Sequence, residues 1–192
     1  KSWLIAQSWL ETADKPLLAI FTGDDGSNGL SPTGVREALI EKLIEQTGQT
    51  TTPARVAGWQ RRFDRWSGAT AVGCRIGVVF DGLNQRPEMD WARTVDAMAE
   101  LLRTIGGRLV VTCRTAFFNA NVRRRVCSLT TLVEVPEWTD AERDAILSGR
   151  AIDAGGLHPE AARSLKNPRL LGIALELLDR AQIGELTELS VS

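Results

Sequence analysis

Histidine, tyrosine and cysteine are the scarce residues of this 192-residue chain: one, none and three. The lone His158 and the separated Cys74, Cys113 and Cys127 include no C-x-x-C pair, so four zinc ligands at set spacings are not available. His158 has no nucleophile beside it in sequence, which leaves no visible Ser-His-Asp or Cys-His arrangement. It reads as a helix-start residue before Pro159. No apolar run approaches the ~20 residues needed to cross a bilayer, and the start lacks a signal-peptide layout. Excess charge is missing too. The 23 Lys+Arg and 24 Asp+Glu leave a net charge of −1, which argues against coating nucleic acid by bulk electrostatics. The cysteines are expected to be reduced, with Cys74 and Cys113 as small buried hydrophobes, in an intracellular, cytoplasmic setting. The six tryptophans are scattered and read as packing residues, not a base-stacking platform.

What remains is ordinary globular material, 43% hydrophobic and 24% charged, which excludes a wholly disordered chain. Helical spacing covers residues 2–13, and Pro16 ends it. Leu17 to Phe21, Ile76 to Phe80 and Leu109 to Cys113 are short continuous apolar runs, the pattern of strands buried on both faces. A Gly- and Asp-rich loop follows the first, from Thr22 to Gly29. Ser31-Pro32 and Thr52-Pro53 read as N-caps with proline at the first helical position. Trp91, Val95, Met98, Leu102 and Ile105 mark one face of a helix over 89–105, stopped by Gly106-Gly107. Leu129 to Val135 reads as a fourth strand, closed by Pro136. This alternation predicts an α/β fold with a mostly parallel sheet, helices on both faces and right-handed crossovers. After Pro136 only helices are predicted: one opened by the Thr139–Glu142 capping box, one at His158-Pro159 and one at Asn167-Pro168. The expected division is a core over 1–136 and a helical subdomain over 137–192.

In parallel sheets of this kind, ligands bind at the carboxyl ends of the strands. Asp81 ends the second strand. It suits a hard cation or its water ligands beside a phosphate, or it simply begins a turn with Gly82. Arg114 ends the third. It suits contact with phosphate charge, or pairing with a surface carboxylate. The opening Lys1-Ser2 runs directly into a helix, as the last two residues of a P-loop do, though no glycines precede it here. Arg123-Arg124-Arg125 reads as a solvated helix face, and Arg61, Arg62 and Arg65 lie on the exposed side of the second post-proline helix.

Taken in order, these elements resemble the NTPase module of the STAND class, which includes the NACHT and NB-ARC families. The resemblance spans essentially the whole chain. It is carried by Val78-Val79-Phe80-Asp81-Gly82-Leu83-Asn84, Val110-Val111-Thr112-Cys113-Arg114, Val133 to Glu142 and Asn167-Pro168-Arg169-Leu170-Leu171. It implies a P-loop NTPase three-layer sandwich that lacks its first strand and Gly-rich loop, cut within Walker A, followed by the start of a helical lid. Lys1 and Ser2 match the end of Walker A, and Asp81 matches the Walker B aspartate. Ser2 and Asp81 would then serve Mg²⁺. Arg114 matches the sensor 1 arginine, and Pro168 the lid proline near the adenine of ATP or ADP.

The implied function is a nucleotide-binding switch that licenses homo-oligomerisation of the parent protein. A sensor domain would lie on the C-terminal side and an effector on the N-terminal side. Neither a membrane nor nucleic acid is an expected partner. Many NACHT-like proteins continue the Walker B strand as Asp-Gly-x-Asp-Glu, whereas here the corresponding positions are Asn84 and Gln85. Asn and Gln orient a water but do not take its proton. Slow or absent hydrolysis is therefore expected, with Glu88 and Asp90 as nearby substitutes in sequence. A non-catalytic scaffold on the same fold and a DNA-processing P-loop ATPase are the alternatives. With the first strand missing, this stretch alone is expected to bind nucleotide poorly and to leave a groove in its sheet.

Overall fold

Three of the four predicted strands pair. Leu17–Phe21 (β1), Ile76–Phe80 (β2) and Gly107–Val111 (β3) form a parallel sheet in the order β1-β2-β3. The computed structural model describes residues 2–13, 15–22, 30–69 and 73–180 (for 2–4 and 6, the backbone alone). Of the loop expected from Thr22 to Gly29, residues 23–29 lie outside the described residues. The chain divides into two compact units, Lys1–Thr131 and Leu132–Ser192.

In the first unit, Ser2–Glu11 (α1) precedes β1. Val35–Glu45 (α2) and Pro53–Ser67 (α3) connect β1 to β2, and Trp91–Ile105 (α4) connects β2 to β3. Phe21, Phe80 and Val111 stand level in the register, so all three strands end at one edge. One sheet face, with Ala19, Phe21, Ile76, Val78 and Phe80, joins α2, α3 and α4 in a single core with Leu39, Ile44, Phe63, Met98 and Leu102. The opposite face differs along the sheet. Val79 is 2% exposed, but Val110 in β3 is 42% exposed. The run from Leu109 therefore does not become a strand buried on both faces. β3 also lies two residues earlier than its apolar run suggests, because Thr112 turns its carbonyl toward Gly82 and Leu83.

Leu129 to Val135 forms no strand. Among the described residues it pairs with nothing, and Leu129, Leu132 and Val133 are exposed. Its apolar, β-branched composition supplies propensity, but a strand forms only against a neighbour's backbone. Ser31 is likewise not the cap of α2. Its hydroxyl accepts from Gly34 N–H at 3.1 Å in a turn, and the helix begins at Val35. Thr52, by contrast, caps α3 with Pro53 at the first position. Cys74 is exposed, not buried, because it precedes the β2 ladder. No disulfide joins the three cysteines.

After β3 the chain makes a short helix, Thr115–Phe117 (α5), and a π-helical turn, Phe118–Val122. Asp96 of α4 fastens the segment beyond that turn. It accepts from Cys127 N–H (2.9 Å), Ser128 N–H (2.8 Å) and the Ser128 hydroxyl (2.6 Å). Burial raises the Asp96 carboxyl, but the Ser128 side chain and the two backbone donors outweigh it, so the carboxyl lies below its usual range. A depressed carboxyl stabilises the fold above its unfolded value of about 3.9 and loses that contribution as pH falls through the folded value. Asp96→Asn is therefore expected to lower stability by about 1 kcal/mol at neutral pH. The gap to wild type should close below about pH 4 in urea titrations. A gap that persists at low pH would mean the anchor is not ionic.

The second unit contains Asp140–Ser148 (α6), Pro159–Ser164 (α7) and Pro168–Asp179 (α8) around Leu147, Leu157, Leu165 and Leu171. Thr139 and Glu142 form the expected capping box, and His158 Nδ1 accepts from Glu160 N–H at 3.4 Å as the cap of α7. Arg143 is buried, yet fully engaged by Asp140 (2.9 Å), Asp144 (2.7 Å) and the Ala162 carbonyl (2.8 Å). A buried guanidinium is tolerated only when its donors are met in this way.

Candidate functional site at the strand ends

Parallel register brings Asp81, after β2, and Thr112 to Arg114, after β3, to one edge of the sheet. Ladder bonding runs one step past the strands: Asp81 N–H donates to Phe21 O at 2.8 Å, and Thr112 N–H to Phe80 O at 2.9 Å. Beyond that step the two loops are tied to each other. Gly82 N–H reaches the Thr112 hydroxyl at 2.9 Å and the Thr112 carbonyl at 3.0 Å. Leu83 N–H reaches the same carbonyl at 3.0 Å. The Thr112 hydroxyl in turn donates to Asp81 Oδ1. Gly82 takes the left-handed φ of +75° that turns the chain here, and buried Leu83 anchors the turn in the core.

Asn84 completes the connection. Its Oδ1 accepts from Arg114 N–H at 3.1 Å, so its oxygen holds the neighbouring loop. Gln85 is exposed one residue on. The Arg114 side chain is also exposed and forms no ion pair among the described residues. Thus the structure brings Asp81, Asn84 and Arg114 onto two bonded loops, with Gln85 at their margin. Asp90 caps α4 and pairs with Arg125 at 2.9 Å, and so is already committed. Lys1 lies outside the described residues. Ser2 opens α1, but its side chain also lies outside them. Pro168 belongs to the second unit, at the first position of α8 behind its cap Asn167.

Sequence reasoning gave Thr112 no role, yet its hydroxyl is what orients Asp81. The only signal in the sequence is a hydroxyl residue two positions before Arg114. Thr112→Val keeps the shape but removes one donor and one acceptor. It is expected to cost about 1–2 kcal/mol in chemical denaturation, while Thr112→Ser retains most of that. Equal losses in both variants would show that the methyl group, not the hydroxyl, matters.

A separate cavity of about 290 Å³ opens at the end of β1, lined by Phe21, Thr22, Lys42, Glu45, Arg86 and Trp91 among others. Asp81, Asn84 and Arg114 do not line it. Among the described residues, no group of three or more His, Cys, Asp or Glu is placed to hold a metal ion. No described helix is long and apolar enough to cross a membrane. Comparison with protein-family models, with curated proteins and with solved structures gave no match to this chain.

Proposed function

We propose that this chain is the ATP/ADP-binding switch module of a STAND-class, NACHT-like signalling ATPase, with slow or absent hydrolysis. The observation that carries this reading is the bonding of the Asp81 and Arg114 loops at the carboxyl edge of a parallel sheet. It ties the loop that carries the Asp81 carboxylate to the loop that carries Arg114, whose exposed side chain forms no ion pair among the described residues; a carboxylate and a guanidinium are the two groups a metal–phosphate ligand needs from a sheet edge. Asp81 suits Mg²⁺, which is commonly held by one or two carboxylates plus phosphates and water, without a dedicated protein cage. The Thr112 hydroxyl bonds one of the two Asp81 oxygens. Bound Mg²⁺ would neutralise phosphate charge. Lys1 and Ser2 enter this reading through the resemblance alone.

Asn84 favours slow turnover. Its oxygen holds Arg114 N–H, and an amide takes no proton from water at neutral pH. The same observation favours the second reading, a scaffold that keeps the fold without the chemistry. A switch requires nucleotide to bind two states of the protein with different affinity, and homo-oligomerisation would be the output of the favoured state.

Equilibrium dialysis of ATP and ADP with Mg²⁺ against the full-length protein tests the proposal. Both should bind at or below millimolar concentration, and Asp81→Ala should weaken Mg²⁺-dependent binding by about tenfold or more. Steady-state turnover should stay below about one per second. If neither nucleotide binds at about millimolar concentration, the scaffold reading stands instead.

A further inference from the structure

Helix α3 carries Arg55, Arg61, Arg62 and Arg65, all exposed, and a single acid, Asp64. That acid is taken by Arg36 of α2 at 2.5 Å. Arg36 also reaches the Gln60 carbonyl at 3.4 Å, and Arg75 reaches the Trp66 carbonyl at 2.9 Å. Arg36, Arg55, Arg61, Arg62 and Arg65 therefore gather on or beside one helix whose own single carboxylate is Asp64. Arg61, Arg62 and Arg65 form no ion pair with any described residue. Their spacings of three and four residues place them on one side of the helix, away from buried Phe63. The Arg62 guanidinium lies 4.6 Å from the centre of the Trp59 ring, a cation–π contact that holds it in place. A net charge of −1 for the chain hides this segregation, because the remainder is acidic.

We propose that the outer face of α3 is a docking surface for the phosphate backbone of a nucleic acid. Charge is what this face offers, and a polyphosphate needs little else. A duplex also concentrates charge, one per about 1.7 Å of its axis. A protein partner would bury apolar core at its interface, and a membrane would take apolar side chains into its acyl boundary. The large exposed hydrophobics of the chain include Leu10, Leu17, Val110, Leu129 to Val135, Leu170 and Ile173, and none lies on α3. The Trp59 ring is half-buried and covered by the Arg62 guanidinium, which favours backbone contact without base recognition. This proposal is independent of the strand-end site.

Fluorescence anisotropy of a labelled random-sequence DNA duplex, titrated with the chain at several salt concentrations, tests it. Binding is expected to be weak, with Kd about 10⁻⁴ M at low salt. The slope of log K against log salt should be about −2.7, for three phosphate contacts. Replacing Arg61, Arg62 and Arg65 together by Ala should reduce affinity about tenfold or more, with an unchanged thermal unfolding midpoint as the folding control. The corresponding triple Lys variant should retain most of the affinity, because it keeps the charge. Undiminished binding by the Ala variant, or no salt dependence, would overturn the proposal. So would equal competition by a poly-glutamate peptide of matched charge, or stronger binding to anionic vesicles than to duplex.

Discussion

Phe80→Ala is expected to remove about 4 kcal/mol from the unfolding free energy, against a total of about 5–15 for a domain of this size. Phe80 is the last residue of β2 and only 1% exposed. Its ring meets Phe21 edge-on at 5.4 Å and Trp91 at 5.8 Å, so it joins β1, β2 and the first turn of α4. Truncation loses the transfer energy of the ring and leaves a cavity bounded by two other rigid rings, which close poorly around it. The site should suffer with the core, because Asp81 is the next residue and Thr112 N–H donates to the Phe80 carbonyl. Phe80→Leu fills most of the volume and should cost about 1.5 kcal/mol. Urea unfolding of both variants measures this. A loss below about 1 kcal/mol for Phe80→Ala would contradict this packing.

The parts of the fold that are legible in the sequence have local causes. Leu17–Phe21 and Ile76–Phe80 form strands where their apolar runs lie. The Thr52 cap, the Thr139–Glu142 box and the Asn167-Pro168 start each rest on partners within four residues. The site is legible only as a set of residue types at strand ends. Its wiring is not, because Thr112 and Asp81 are 31 residues apart and Arg114 and Asn84 are 30 apart. Only the parallel register brings them together. Asn84 is the instructive case. Its position beside Asp81 suggests a residue facing water, and the structure commits its oxygen to a backbone donor on the next loop. Leu129 to Val135 fails for the complementary reason: its pattern is that of a strand, and nothing in the chain's local chemistry says whether an edge is there to receive it.

Gly107→Ala is expected to lower stability by about 2–3 kcal/mol, although replacing glycine by alanine in compatible backbone normally raises it by about 0.4–1. In the sequence this glycine reads as half of a helix stop. Gly106 alone performs that role, with a left-handed φ of 76° and its N–H on Leu102 O. Gly107 begins β3 where α4 and β2 converge. A Cβ there would lie 2.6 Å from Leu102 Cδ2, 2.9 Å from Ile76 Cγ2 and 3.0 Å from the Ile76 carbonyl. Leu102 and Ile76 are 1% and 0% exposed, so neither has open space into which to move. The Ile76 backbone is fixed by pairing on both sides, which leaves displacement of β3 as the easiest response. That displacement would carry Thr112 and Arg114 away from Asp81 and Asn84. Gly58 on α3 supplies the opposite case. Nothing stands within 4 Å of its added Cβ, and Gly58→Ala should gain about 0.5–1 kcal/mol from helix propensity. The two substitutions make the same chemical change with opposite predicted signs, so one pair of urea titrations tests whether contact at Gly107, and not backbone entropy, decides the result.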